Sequence, residues 1–281
     1  MPESNKIVVF DLDETLGYFT QLCTIWELIE QYIYQNHIDS GKMEQEDFNK
    51  LLDLFPEYVR PNLETILDYL KQKKISKKCK NVMIYTNNQR QKKWVFLIKK
   101  YFETKIKYNL FDQIICAFKI NGKQVELCRT THNKTHKDFI KCSKIPKNTQ
   151  ICFIDDTYYS EMHKDDVYYI KIKPYTYSLS EDAIIDRLKK STFFDKWFRS
   201  DINIERECLL QFLKERLRNL QYKSKSMKEY EIDKIITKQI MNHIELFFNG
   251  QHNYSHAIFN ISKTKKRRVY KNKTKKVTLQ S

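Results

Sequence analysis

Asp11 and Asp13 close the run Lys6-Ile7-Val8-Val9-Phe10-Asp11-Leu12-Asp13-Glu14-Thr15-Leu16, in which a short apolar stretch ends abruptly in two carboxylates one residue apart. Lys6 to Phe10 lacks the 3.6-residue period of a surface helix and has β-branched residues at its centre, so it predicts a strand. A continuously apolar strand is buried on both faces. That is the situation of parallel sheets covered by helices, where ligands bind beyond the carboxyl ends of the strands. Two uncompensated carboxylates at such a place are costly, and a divalent cation is their natural partner. The plainer reading is an acidic turn or a helix start, since Asp, Glu and Thr favour both.

The elements needed to position such a pair follow along the chain. A second apolar run, Val82 to Tyr85, ends in Thr86-Asn87-Asn88; a third, Ile151 to Ile154, ends in Asp155-Asp156; a fourth spans Val167 to Ile172. Between them lie amphipathic helices, one with Leu63, Ile66, Leu67 and Leu70 on a face and one with Val95, Leu97, Ile98 and Phe102. A helical block, residues 17–58, interrupts the first strand-helix unit and is placed to cover the acidic pair. Residues 111–130 predict a hairpin insertion, with runs Ile114 to Ile120 and Gln124 to Cys128 joined by Asn121-Gly122, two residues that tolerate positive φ. The predicted architecture is α/β. A Rossmann-like core with a parallel sheet occupies residues 1–177, a helical region residues 178–255, and a basic, disordered tail residues 256–281.

Composition narrows the classes. The chain has 281 residues, ample for a buried core, and its 18 Tyr and 17 Phe against 4 Gly assign much of the packing to aromatic side chains. No apolar run reaches the ~20 residues a membrane-spanning helix needs, and the first residues lead directly into a strand, so a soluble intracellular protein, cytoplasmic or nuclear, is expected. The seven cysteines show no Cys-x-x-Cys pair and read as free thiols. His132 and His136, like His252 and His256, stand four apart but lack partners at zinc spacing. Of the net charge of +16, nine positive charges lie between Lys263 and Lys276 with no acid among them. Such a block is either a solvated tail or a segment that attracts nucleic acid or directs nuclear import.

Strands ending in turn with Asp-x-Asp-x-Thr, with Thr and with Asp-Asp form an order more specific than any one element. It resembles the haloacid-dehalogenase superfamily of phosphotransferases. Within that superfamily, Asp11-Leu12-Asp13-Glu14-Thr15-Leu16, Arg60-Pro61 and a hairpin followed by Lys137-Asp138-Phe139 resemble the FCP/SCP-type phosphatases that act on the C-terminal domain of RNA polymerase II. The resemblance covers residues 5–175. It implies Asp11 as a nucleophile that forms an aspartyl-phosphate and Asp13 as general acid and then base. It further implies Mg2+ held by the Asp11 side chain, the Asp13 carbonyl and Asp156. Thr86, Asn87 and Lys137 are expected to bind phosphate, with Thr15 and Asp155 supporting; among the nearby lysines, Lys134 and Lys141 compete with Lys137 for its role.

Two departures bear on the substrate. The block 17–58 replaces the small β element usual after the first motif, and Thr157-Tyr158 stands where Ser-Pro is common. The leading expectation is a phosphoprotein serine/threonine phosphatase. A polynucleotide or nucleotide phosphatase, favoured by the basic tail, and a non-catalytic binding module on the same fold are the alternatives.

Overall fold

The computed structural model describes residues 5–38, 42–198, 203–220, 222–250 and 259–260. In chain order the elements are β1 (Lys6–Phe10), α1 (Thr20–Gln35), α2 (Gln45–Leu54), α3 (Leu63–Ile75), β2 (Asn81–Tyr85), α4 (Lys92–Lys105), β3 (Phe111–Ile115), β4 (Lys119–Ile120), β5 (Lys123–Gln124), α5 (His136–Ser143), β6 (Gln150–Asp155), β7 (Val167–Lys171), α6 (Glu181–Lys190), α7 (Asn203–Leu217), α8 (Met227–Asn249) and β8 (Phe259–Asn260). The main sheet has the order β3-β2-β1-β6-β7-β8, with every pairing parallel. The chain is therefore α/β, built on a five-strand parallel sheet flanked by helices, with the two-residue β8 added at one edge.

The apolar run of β1 explains its central position. Ile7, Val8 and Val9 are fully buried, and their period-two alternation sends Val8 and Phe10 into the larger core cluster and Ile7 and Val9 into the smaller. The larger cluster holds side chains of α1 to α4 and α6 to α8, whereas on the other face Phe139 and Cys142 of α5 join Tyr85, Phe153 and Tyr169. The helices after residue 180 share the sheet's core. Phe247 of α8 stacks on Tyr168 of β7 at 6.0 Å, and Phe212 of α7 meets Tyr32 of α1 at 5.3 Å.

Two expectations are corrected, and a third in part. Phe111 to Ile115 pairs in parallel with β2 as an edge of the main sheet, because its buried Phe111 and Ile115 serve the core; only Lys119–Ile120 and Lys123–Gln124 form the antiparallel hairpin around Asn121 (φ 49°) and Gly122 (φ 79°). The expected helical region comprises three helices among the described residues, separated by an aromatic turn in which Phe193 and Phe194 pack edge to face and by a segment ending at the Ser226 cap of α8. The cysteines are not all free. Cys128 and Cys142 form a disulfide, because the intervening residues fold back until their Cα atoms lie 5.1 Å apart, while Cys23, Cys79, Cys116, Cys152 and Cys208 are free. Of the disordered tail expected over residues 256–281, Phe259–Asn260 instead pair with β7, and the remainder, the basic segment 263–276 included, lies outside the described residues. Among the described residues, no helix is long and apolar enough to cross a membrane.

Candidate active site

The carboxyl ends of β1, β2 and β6 converge on the acidic pair. Asp11 follows β1 directly, and its amide donates to the Ile154 carbonyl of β6. The turn beyond it is tightly held. Glu14 adopts a left-handed φ of 58°, its amide donates to Gly17 O, and a Cβ on Gly17 would collide with the Tyr58 carbonyl. Buried Arg60 donates Nε to Thr15 O and Nη2 to Glu14 O and Lys173 O, which gives the Arg60-Pro61 pair a structural reason. Thr15 Oγ1 in turn donates to Asp156 Oδ1 at 3.2 Å, joining the β1 and β6 turns.

From β2 come Thr86, Asn87 and Asn88. Thr86 is buried, and its hydroxyl accepts the Asn88 amide at 3.0 Å. Asn87 donates to the Tyr159 hydroxyl at 3.1 Å, and Asn88 donates through Nδ2 to Asp13 Oδ2 at 2.7 Å. Asn88 thus fixes the orientation of Asp13. Nothing in the sequence separates it from its neighbour Asn87.

The lysine at the site is Lys134, and Lys137 is corrected. Lys134 is 1% exposed and donates to Asp11 Oδ1 at 2.5 Å and to Asp155 Oδ2 at 2.7 Å. Lys137 lies in the first turn of α5 and faces solvent. The cap decides between them. The Thr135 hydroxyl accepts the Asp138 amide and starts α5 at residue 136, so Lys134 stays in the extended approach to the helix while Lys137 turns away. A Thr with an acid three residues later is a readable helix-start signal, and it marks Lys134 as the residue before the cap.

The segment carrying Lys134 is braced at several points. Asp138 accepts both the amide and the hydroxyl of Thr130, and the disulfide ties Cys128 to Cys142. Arg129, buried to 1% exposure, donates Nη1 to Thr86 O and Cys116 O and Nη2 to His132 O and Asn133 O. One guanidinium therefore locks the β2 turn to the approach of Lys134. It also lies 4.8 Å from the Tyr85 ring.

Charge at the site is unbalanced toward the negative. Asp11, Asp155 and Asp156 can place carboxylate oxygens within 4.8 Å of one another, and Asp13 stands beside them. Burial and the Asp11 charge push Asp13 up to about 7, against the opposing pull of Asn88 and Lys134. Burial and Asp11 likewise raise Asp156. For Lys134, burial opposes the ammonium, but Asp11 and Asp155 outweigh it and hold its pKa above the ordinary lysine value. Lys134 therefore stays charged between two acids, and buried Arg60 acts electrostatically on Asp156 and Glu14, yet the cluster can carry more negative charge than these two side chains offset. These oxygen donors can hold a metal ion of the hard, divalent kind.

Asp11, Asp13, Thr15, Thr86, Asn87, Asp155 and Asp156 thus gather at one end of the sheet, and Lys137 does not. No protein-family model and no curated protein matches the chain.

Proposed function

We propose that the chain is a Mg2+-dependent phosphomonoester hydrolase of haloacid-dehalogenase type, and that residues 17–58 act as its cap. The observation that carries the reading is the meeting of Asp11 with Lys134 at a strand end where Asp13, turned by Asn88, sits beside it. A pKa of about 7 leaves Asp13 able both to give and to accept a proton near neutral pH, as a group serving successively as acid and base must.

In this mechanism an Asp11 carboxylate oxygen bonds to phosphorus while the bond from phosphorus to the leaving oxygen breaks, and Asp13 delivers its proton to that oxygen. Asp13, now ionised, takes a proton from water as the water oxygen attacks the aspartyl-phosphate. The bond between phosphorus and the Asp11 oxygen breaks, releasing phosphate and regenerating both carboxyl groups. Lys134 offsets the repulsion between carboxylate and phosphate, which at ~4 Å and an effective dielectric near 20 is about 4 kcal/mol per charge pair. Thr86 lines the phosphate side, and Asp155 fixes Lys134. Mg2+, held by Asp11, Asp156 and the Asp13 carbonyl, would add divalent charge against the transferring group. Arg90, in the β2–α4 connection, pairs with Glu27 through two bonds of 2.8 and 2.9 Å, and Lys93 of α4 pairs with Glu30 at 3.4 Å, tying α1 to the segment that follows Asn88.

Phosphoserine or phosphothreonine in a protein, the RNA polymerase II C-terminal domain among them, is the substrate class the resemblance favours. The test is hydrolysis of p-nitrophenyl phosphate with Mg2+, followed by a phosphopeptide and a 3′-phosphorylated oligonucleotide. Turnover should vanish in Asp11→Asn, with the far-ultraviolet circular dichroism of the wild type showing that the variant is folded. A wild type inactive on all three substrates would refute the hydrolase reading, and preference for the oligonucleotide would move the substrate to nucleic acid.

A further inference from the structure

At the other end of the sheet, the loops entering β2, β3 and β6 (residues 75–80, 105–110 and 143–149) contain seven lysines and no acidic residue. Lys77, Lys78, Lys80, Lys107, Lys144 and Lys147 are exposed, and among the described residues none of the six has an ion-pair partner. The strand order places these loops in a line, because β3 and β2 are neighbours and β6 follows across β1. The line spans three strand spacings, or about 14 Å at ~4.8 Å each. That is about four base-pair rises along a duplex at ~3.4 Å each.

The loops are held rigidly in this row. Lys80 N donates to Lys6 O at 2.8 Å, Lys78 N to Lys73 O at 2.8 Å, Lys107 N to Thr104 O at 3.2 Å and Lys144 N to Ile140 O at 3.0 Å. Lys77, Lys107 and Lys144 take left-handed φ values of 56°, 51° and 54° just beyond α3, α4 and α5. Glycine or asparagine is the usual occupant there. A cation beyond a helix carboxyl end also complements the helix dipole. That accounts for one lysine per helix and leaves Lys78, Lys80 and Lys147 unexplained.

We propose that this amino-end edge of the sheet is a docking surface for the phosphate backbone of duplex nucleic acid. A rigid, collinear set of unpaired ammonium groups complements the regular charge of a duplex and would release its counterions on binding. The surface is distinct from the catalytic end. Strands of five or six residues at ~3.3 Å per residue separate the two by about 17 to 20 Å, so a duplex held here is a platform and not the substrate. It would leave the carboxylate cluster facing outward, and the proposal stands independently of the hydrolase reading.

The experiment is fluorescence anisotropy of a labelled 20-base-pair duplex with the full chain from 50 to 300 mM KCl, so that the segment 263–276 is present in every protein. The edge variant carries Lys78→Gln, Lys80→Gln, Lys107→Gln and Lys147→Gln; the control carries Lys123→Gln, Lys223→Gln, Lys228→Gln and Lys238→Gln, removing equal charge elsewhere. The edge variant should bind at least about tenfold more weakly at 100 mM, and its plot of log K against log salt should be shallower by about 3 to 4. The control should keep the wild-type slope, and arginine at the four edge positions should restore binding. Thermal midpoints and p-nitrophenyl phosphate turnover should match the wild type throughout. Equal losses in edge and control proteins, loss in neither, or a wild type that does not bind would each overturn the proposal. So would poly-glutamate competing as well as the duplex.

Discussion

At the carboxyl end of the sheet, Lys134 is buried and bonded to two carboxylates, whereas at the amino end Lys78, Lys80, Lys107 and Lys147 stand in solvent with no ion partner among the described residues. The same side chain has opposite physics in the two places. Two charges ~4 Å apart interact by about 1 kcal/mol in water and about 4 kcal/mol at an effective dielectric near 20. Charges at the buried end are therefore coupled, so that removing one leaves the others unpaired. Those at the exposed end act independently and yield to salt.

The largest break in this contrast should come from Lys134→Met set against Lys137→Met. The first leaves Asp11 and Asp155 facing each other without a cation, and breaking a buried pair in this way costs about 3 to 5 kcal/mol. Any phosphatase turnover should fall by about 100-fold or more, as when one preorganised charge-stabilising donor is lost. Lys137→Met should stay within about 0.5 kcal/mol of the wild type. Urea titrations of both proteins decide it, and a larger loss from Lys137→Met would reverse the assignment.

Arg129 sharpens the comparison, because it is buried like Lys134 but serves carbonyl oxygens alone. Arg129→Leu strips donors from Thr86 O, Cys116 O, His132 O and Asn133 O, at about 3 kcal/mol for buried groups left unpaired. Arg129→Lys keeps the charge but not the fork, so it should retain most of the stability and lose about 10- to 100-fold in kcat through misplacement of Lys134. Equal activity of Arg129→Lys and wild type would show that charge suffices there. A smaller effect is expected from the disulfide. It closes a loop of sequence separation 14 around Lys134, for which chain entropy gives at most about 3 kcal/mol. Cys128→Ser should lower the urea midpoint accordingly, and an unchanged midpoint would leave the other braces as the support of the loop.

Much of the buried end was legible in the sequence, and the exposed end was not. The strand over residues 6–10 has the bounds its apolar run indicates, because complete burial leaves a strong compositional trace. Asp11, Asp13, Thr86 and Asp156 follow from the strand ends, since the carboxyl end of a buried strand is a fixed place in such a sheet. Lys134 stands in the sequence as a competitor of Lys137, and the two are ranked only once the Thr135 cap is located, because three residues along a helix and three along an extended segment look alike. The segment Phe111 to Ile115 reads as part of the hairpin because its exposed Asp112 masks an edge strand, and the Cys128–Cys142 bond depends on a fold-back that spacing does not encode. The row of amino-end lysines needs the strand order β3-β2-β1-β6, which no local pattern contains.

The smallest expected effect tests whether the buried end lacks positive charge without metal. Asp13 has its pKa raised from the ordinary 3.8 to about 7, with burial as the first cause and Asp11 as the second. A raised carboxyl pKa means that the folded chain holds its proton more tightly than the unfolded one. The associated stability is complete below about pH 4, declines as pH rises and is gone above about pH 7. Metal-free protein in EDTA should therefore lose a few degrees of thermal midpoint between pH 4 and pH 7, about 1 to 2 kcal/mol, since Asp13 keeps some contact with solvent. Mg2+ should flatten the decline by supplying the charge that the ionised carboxylates lack. Asp13→Asn should remove part of the decline without Mg2+. A metal-free midpoint flat across this window would mean that the protein's own cations, Lys134 and Arg60, balance the cluster, and the electrostatic case for a divalent ion would fall with it.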